Sequence, residues 1–106
     1  AYSTQRDHGP TNLGLLLSAL DHDNRQRYGI DADAAGILVE QVKPGSPAAD
    51  KGLKRGDLIV QVERRPIDTP ARMAELVHTA HQNNQKLVLL LIQREGQQHF
   101  VTLRLA

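Results

Sequence analysis

Short apolar runs alternate along this chain with polar turns built on Gly, Pro, Asn and Asp, and the spacing of those runs predicts a mostly β domain. A polar lead-in (His8-Gly9-Pro10-Thr11) is followed by an apolar run over residues 13–20, which reads as a strand with Leu13, Leu15 and Leu17 on one face. Asp21-His22-Asp23-Asn24 is a polar turn suited to capping a short helix that runs to about Tyr28 and stops at Gly29. Residues 31–36 read as a loop. Ile37-Leu38-Val39-Glu40-Gln41-Val42 is rich in β-formers, and its imperfect alternation admits a bulge. After the Pro44-Gly45 turn, Ser46-Pro47 opens a helix of little more than one turn, with Gly52 placed to end it in a left-handed conformation. Leu58-Ile59-Val60-Gln61-Val62 is the next strand, and Arg64-Arg65-Pro66 turns the chain.

Asp68-Thr69-Pro70 starts the longest helix, with Thr69 as cap and Pro70 in the first position; Met73, Leu76, Val77 and Ala80 recur at helical spacing to about His81. Residues 87–92 form a continuous apolar run, expected to be a buried central strand. Glu95-Gly96 is a hairpin turn, and residues 100–105 alternate with Val101, Leu103 and Leu105 on one face. These elements predict a small, partly open antiparallel barrel or sandwich of five to six strands, capped by one long helix and one or two short ones.

Composition narrows the function classes. The length of 106 residues suits one domain, expected over residues 12–106, with residues 1–11 as a flexible linker. Tyr2, Tyr28 and Phe100 are the whole aromatic set, so the core must be aliphatic. A formal net charge of +1 provides no global field for nucleic acid, and no apolar run reaches membrane-spanning length. With no cysteine, disulfides and thiolate ligands are excluded. No signal peptide is visible at Ala1, and the polar start suggests a domain from a longer protein.

Few residues offer catalytic chemistry. Of the three serines, Ser3, Ser18 and Ser46, none lies in a nucleophile elbow, and Ser46 is accounted for as a helix cap. His78 and His81 share a helix face with Glu75, which falls short of a metal site. Lys43, Lys51, Lys54, Arg55, Arg64 and Arg65 come from turns around the middle strands, but they are interleaved with Asp50, Asp57 and Glu63 and lack stacking aromatics. They read as a solvated surface and not a nucleic-acid interface. No cofactor is expected.

A binding function has better support. A turn at Leu13-Gly14 followed by a strand can direct successive backbone N–H groups into one small concavity, which attracts an anion such as a peptide's terminal carboxylate. With the long helix alongside, Leu13, Leu15 and Leu17 would wall one side of a cleft and Ala74 and Val77 the other, and a peptide would pair with the strand edge. From pattern alone the reading of these leucines as simply core comes first, since apolar periodicity usually means core.

The residues from Gly36 to Ile59, with their strand, Pro44-Gly45-Ser46-Pro47-Ala48 and then Gly52-Leu53-Lys54-Arg55-Gly56-Asp57 before a hydrophobic strand, resemble a PDZ domain of the bacterial type. Leu13-Gly14-Leu15 falls where such domains carry the carboxylate-binding loop. The inserted segment from Leu20 to Ile30 and the final hairpin resemble the C-terminal PDZ domain of HtrA/Deg-type periplasmic serine proteases. The resemblance implies a peptide-binding module that is not itself an enzyme, a parent serine endopeptidase, and a periplasmic location. It also implies peptide C-termini or unfolded segments as partners, together with other domains or subunits of the protease. The peptide-binding residues it implies are Leu13, Gly14, Leu15, Leu16, Leu17, Ala74 and Val77, with Met73, Leu76 and Ala80 on the core side. Pro70, at the helix start, cannot donate a side-chain hydrogen bond, so a hydrophobic last residue is expected over hydroxyl selection. The alternative role is structural: packing against neighbouring domains in the oligomer with the groove unused.

Overall fold

The computed structural model describes residues 13–105, so the expected linker (residues 1–11) and Asn12 lie outside the described residues. In chain order the elements are β1 (Leu15–Ala19), α1 (His22–Tyr28), β2 (Ile37–Val42), α2 (Pro47–Asp50), β3 (Leu58–Val62), β4 (Arg65–Pro66), α3 (Pro70–Gln82), β5 (Leu87–Arg94) and β6 (Gln97–Arg104). All strand pairs are antiparallel. The sheet runs β1-β2-β3-β5-β6, with the short β4 paired on β3. An open six-stranded sheet with three helices among the described residues matches the architecture expected from the sequence.

Local chemistry explains the element ends. Asp21 caps α1 by accepting from the Asn24 N–H at 2.8 Å, while the Asn24 side chain accepts from the Asp21 N–H at 2.9 Å. Gly29 ends that helix with φ +66. Thr69 Oγ1 accepts from the Arg72 N–H at 3.1 Å at the start of α3. Glu95 and Gly96, both at positive φ, form the tight turn between β5 and β6.

The first strand begins at Leu15 and not at Leu13, because Gly14 adopts φ +82, which a strand cannot hold. The expected bulge is found. Leu16 pairs with Gln41 and Leu17 with Val39, leaving Glu40 as the extra residue of β2. The turn after β3 falls on Glu63-Arg64, both at positive φ, so Arg65 and Pro66 pair back onto Val62 and Gln61 instead of making the turn.

The run over residues 87–92 occupies an interior place in the sheet, but it is not buried on both faces. Val88, Leu90 and Ile92 enter the core, while Leu87 on the other face is 48% exposed. The physical reason is that one face of the strand, with Val88, Leu90 and Ile92, joins the common core, and period-two alternation sends the odd-numbered leucines to the other face. β6 starts earlier than expected, at Gln97, and its Phe100, opposite Leu91, is 57% exposed.

The core is aliphatic, centred on Leu13, Leu17, Ile37, Val39, Ile59, Met73, Leu90, Ile92 and Leu103, all fully buried. Asp57, whose side chain is 3% exposed, ties its margin together. Its carboxylate accepts from Arg94 Nε at 2.7 Å and Nη2 at 2.6 Å, and from the Lys54 N–H at 2.9 Å. Arg94 Nη2 also donates to the Gly52 carbonyl at 2.9 Å. The paired hydrogen bonds from Arg94 to Asp57 push the guanidinium pKa above its ordinary value, against the opposing effect of burial.

Candidate functional site

Gly14 sets the geometry of the site expected from the sequence. Its left-handed backbone turns the chain into β1, and a methyl group placed there would overlap the Cβ and Oγ of Ser46. Ser46 is buried and held in place by its role as the cap of α2, where its Oγ accepts from the Ala49 N–H at 3.2 Å. The Gly14 carbonyl accepts from the Lys43 N–H at 2.8 Å. The turn that starts β1 is therefore seated on the turn that starts α2.

One edge of β1 pairs with β2. As the last strand in the order, β1 has no strand partner on its other edge among the described residues. Such an edge presents backbone donors and acceptors to any extended chain laid against it. The helix α3 packs beside β1. Its Met73, Val77 and Ala80 are buried, as is Pro70 at its start, while Ala74 and Leu76 are half-buried.

The named residues separate into two groups. Leu13, Leu15, Leu17 and Val77 belong to the hydrophobic core cluster and are buried. Gly14, Leu16 and Ala74 keep partial exposure. Leu16 alternates with Leu15 and Leu17, and with Gly14 it lines a cavity of about 790 Å³ against β1 and β2 that includes no residue of α3. That cavity is also lined by Lys43, Lys54 and Arg55. From the sequence these cations read as a solvated surface; their convergence on one cavity depends on the turn after β2 approaching the loop between α2 and β3. Arg55 is anchored there by Nε donating to the Tyr28 hydroxyl at 2.9 Å, and its guanidinium lies 5.9 Å from the ring centroid. That bond pushes the Arg55 pKa above its ordinary value.

His78 and His81 sit exposed on α3, and no group of three or more His, Asp or Glu able to hold a metal ion occurs among the described residues. Ser18 Oγ, on β1, is buried without a hydrogen-bond partner. Among the described residues no helix is long and apolar enough to cross a membrane.

With the geometry in place, comparison with known proteins identifies the chain's relatives. A family model described as PDZ domain matches residues 38–94. A probable periplasmic serine endoprotease DegP-like from Brucella suis is 37% identical over 71 residues, covering 67% of this chain and 14% of that protein. The protein of the same description from Rickettsia conorii is 30% identical over 94 residues, covering 89% of this chain and 18% of the relative. The chain thus spans less than a fifth of the length of these relatives. Among solved structures, an HtrA3 PDZ domain bound to a phage-derived ligand (FGRWV) superposes with a TM-score of 0.72 at 24% identity, covering 87% of this chain and 81% of that one, a likeness of fold. The HtrA-type protease AlgW with a decapeptide gives a TM-score of 0.68 at 25% identity, covering 87% of this chain and 27% of that one.

Proposed function

The chain belongs to the PDZ domain family, and from that premise we propose that it is the peptide-binding module of a periplasmic HtrA/Deg-like serine protease. It captures hydrophobic C-terminal or exposed segments of unfolded proteins by strand addition and so delivers or senses substrates for a catalytic domain elsewhere in the parent protein. The observation that carries this reading is the edge of β1, which has no strand partner among the described residues, leaves the Gly14 turn and runs beside α3. In this reading the backbone amides around Leu13, Gly14 and Leu15 hold the terminal carboxylate. The peptide backbone pairs along β1 from Leu15 to Leu17, and Ala74 and Val77 form the facing wall. The two similar structures named above hold the ligand FGRWV and a decapeptide, which favours the same class of partner here.

Affinity is expected to be modest. Burying one apolar side chain contributes about 1.5–3 kcal/mol, and each hydrogen bond to the carboxylate about 1.5–3 kcal/mol. Ordering a flexible peptide costs several kcal/mol, leaving dissociation constants of about micromolar or weaker.

The test is a chemical-shift titration of the labelled chain with a pool of C-terminal peptides, free-acid against amidated. Shifts confined to residues 13–17 and 74–77 and lost on amidation are expected. No shift up to about millimolar peptide, a ceiling well above the expected affinity, would overturn the reading. A second role has its own support: Leu13, Leu15, Leu17 and Val77 are already buried by the chain itself, while Leu87 and Phe100 stand exposed on the outer face of the β5–β6 hairpin. That distribution fits a domain that packs against neighbouring domains or subunits of the protease with its groove unused.

A further inference from the structure

The cavity against β1 and β2 has the composition of a binding site; it shares Gly14, Leu15 and Leu16 with the cleft between β1 and α3 but includes no residue of α3. Its apolar lining includes Leu16, Val42 and Pro44, and Lys43, Lys54 and Arg55 stand around it. All three cations are exposed. Arg55 is positioned by the Tyr28 hydroxyl through Nε, so its Nη groups are not the ones that hold it in place. The side-chain ammonium groups of Lys43 and Lys54 have no hydrogen-bond or ion-pair partner among the described residues. Glu40 is the carboxylate of the lining, and its charge acts on Arg55. The cavity thus gathers three cations and one carboxylate, a local excess of two positive charges on a chain whose total is +1.

We propose that this cavity is a second binding site, for an extended polypeptide segment in which acidic side chains alternate with aliphatic ones. Alternate residues of an extended chain point to opposite sides, so one set can lie on Leu16, Val42 and Pro44 while the carboxylates meet the cations at the rim. The prepositioned Arg55 fork suits a carboxylate, since two parallel N–H donors match its two oxygens. A lipid surface fits less well. The apolar residues here line a concavity instead of projecting, and the exposed large apolar side chains, Leu87 and Phe100, belong to β5 and β6, which β2 and β3 separate from β1 in the sheet. The proposal does not require carboxylate capture in the β1–α3 cleft: the two sites share Gly14, Leu15 and Leu16, but Lys43, Lys54 and Arg55 line only the cavity and no residue of α3 does.

The experiment uses the labelled chain and a short acetylated and amidated peptide alternating Glu with Val, so that no free carboxyl terminus is present. Its twin carries Lys in place of Glu. Amide shifts at Leu16, Val42, Lys54 and Arg55 are expected with the acidic peptide, with binding about tenfold weaker or more for the basic twin. Raising the salt should weaken the acidic peptide several-fold, since exposed charges are screened beyond about 10 Å at 0.1 M. The double variant Lys54→Glu, Arg55→Glu should lose at least about tenfold in affinity. It retains the Lys54 backbone N–H bond to Asp57, and an unchanged spectrum over β3, β5 and β6 verifies its fold. Shifts centred on residues 74–77, equal binding of the two peptides, or unchanged binding by the double variant would overturn the proposal. So would co-sedimentation with phosphatidylglycerol vesicles in the absence of any peptide-induced shift.

Discussion

Gly14 and Gly29 share a left-handed backbone but differ in what surrounds them, and the difference separates two physical costs. At Gly29 nothing lies within 4 Å of where a Cβ would sit, whereas at Gly14 that Cβ would collide with Ser46. Gly29→Ala should therefore lose only the conformational cost, about 1 kcal/mol. Gly14→Ala adds steric overlap with a capped, buried side chain and should lose about 2–4 kcal/mol. Urea denaturation of both variants measures the two values, and similar losses would show that the Ser46 contact contributes nothing. Gly14 was legible in the sequence as the pivot of the turn. Ser46 was legible as a helix cap but not as Gly14's neighbour, because they lie on segments 32 residues apart whose approach is set by Lys43 bonding to the Gly14 carbonyl.

The helix α3 and the strand β5 show how far a local pattern reaches. The Thr69 cap is local chemistry; Thr69→Ala should cost about 1 kcal/mol, and a thermal melt by circular dichroism reads that loss. In β5 the pattern alone misleads, because an unbroken apolar run does not say which face is covered. Ile92→Ala should lose about 2–5 kcal/mol as a fully buried position. Leu87→Gln, on the outer face of the same strand, should stay within about 0.5 kcal/mol. Denaturation midpoints of the two variants test the assignment of faces directly. In α3, Val77 lies in the core and Ala74 is half-buried, a difference that helical spacing alone does not give.

Across the molecule, Asp57 joins segments that are far apart in sequence. Its carboxylate binds Arg94, 37 residues away, and Arg94 also holds the Gly52 carbonyl, so the loop between α2 and β3 is fastened to the end of β5. Asp57→Ala leaves the Arg94 guanidinium without its carboxylate. Arg94 is 34% exposed, so water recovers part of the loss, and a destabilisation of about 2–4 kcal/mol is expected. Urea unfolding followed both by circular dichroism and by amide shifts in β5 should give coincident transitions at a lower midpoint, as a single cooperative domain requires. A loss confined to the loop signals would mean that the pair fastens the loop without supporting the sheet.

Order, type and caps of the elements follow from the chain alone, because they rest on interactions a few residues long: Asp21 with Asn24, Ser46 with Ala49, Thr69 with Arg72, and Glu95-Gly96 in its turn. The Pro-Gly-Ser-Pro-Ala and Gly-Asp signatures carried the family for the same reason, since each specifies a turn with its own backbone demands. Which leucines of the first strand are covered, which face of β5 meets water, that Asp57 finds Arg94, and that Lys43, Lys54 and Arg55 surround one cavity were settled by packing. Those features depend on strands brought together from distant parts of the chain, and neither periodicity nor spacing records how two distant segments meet.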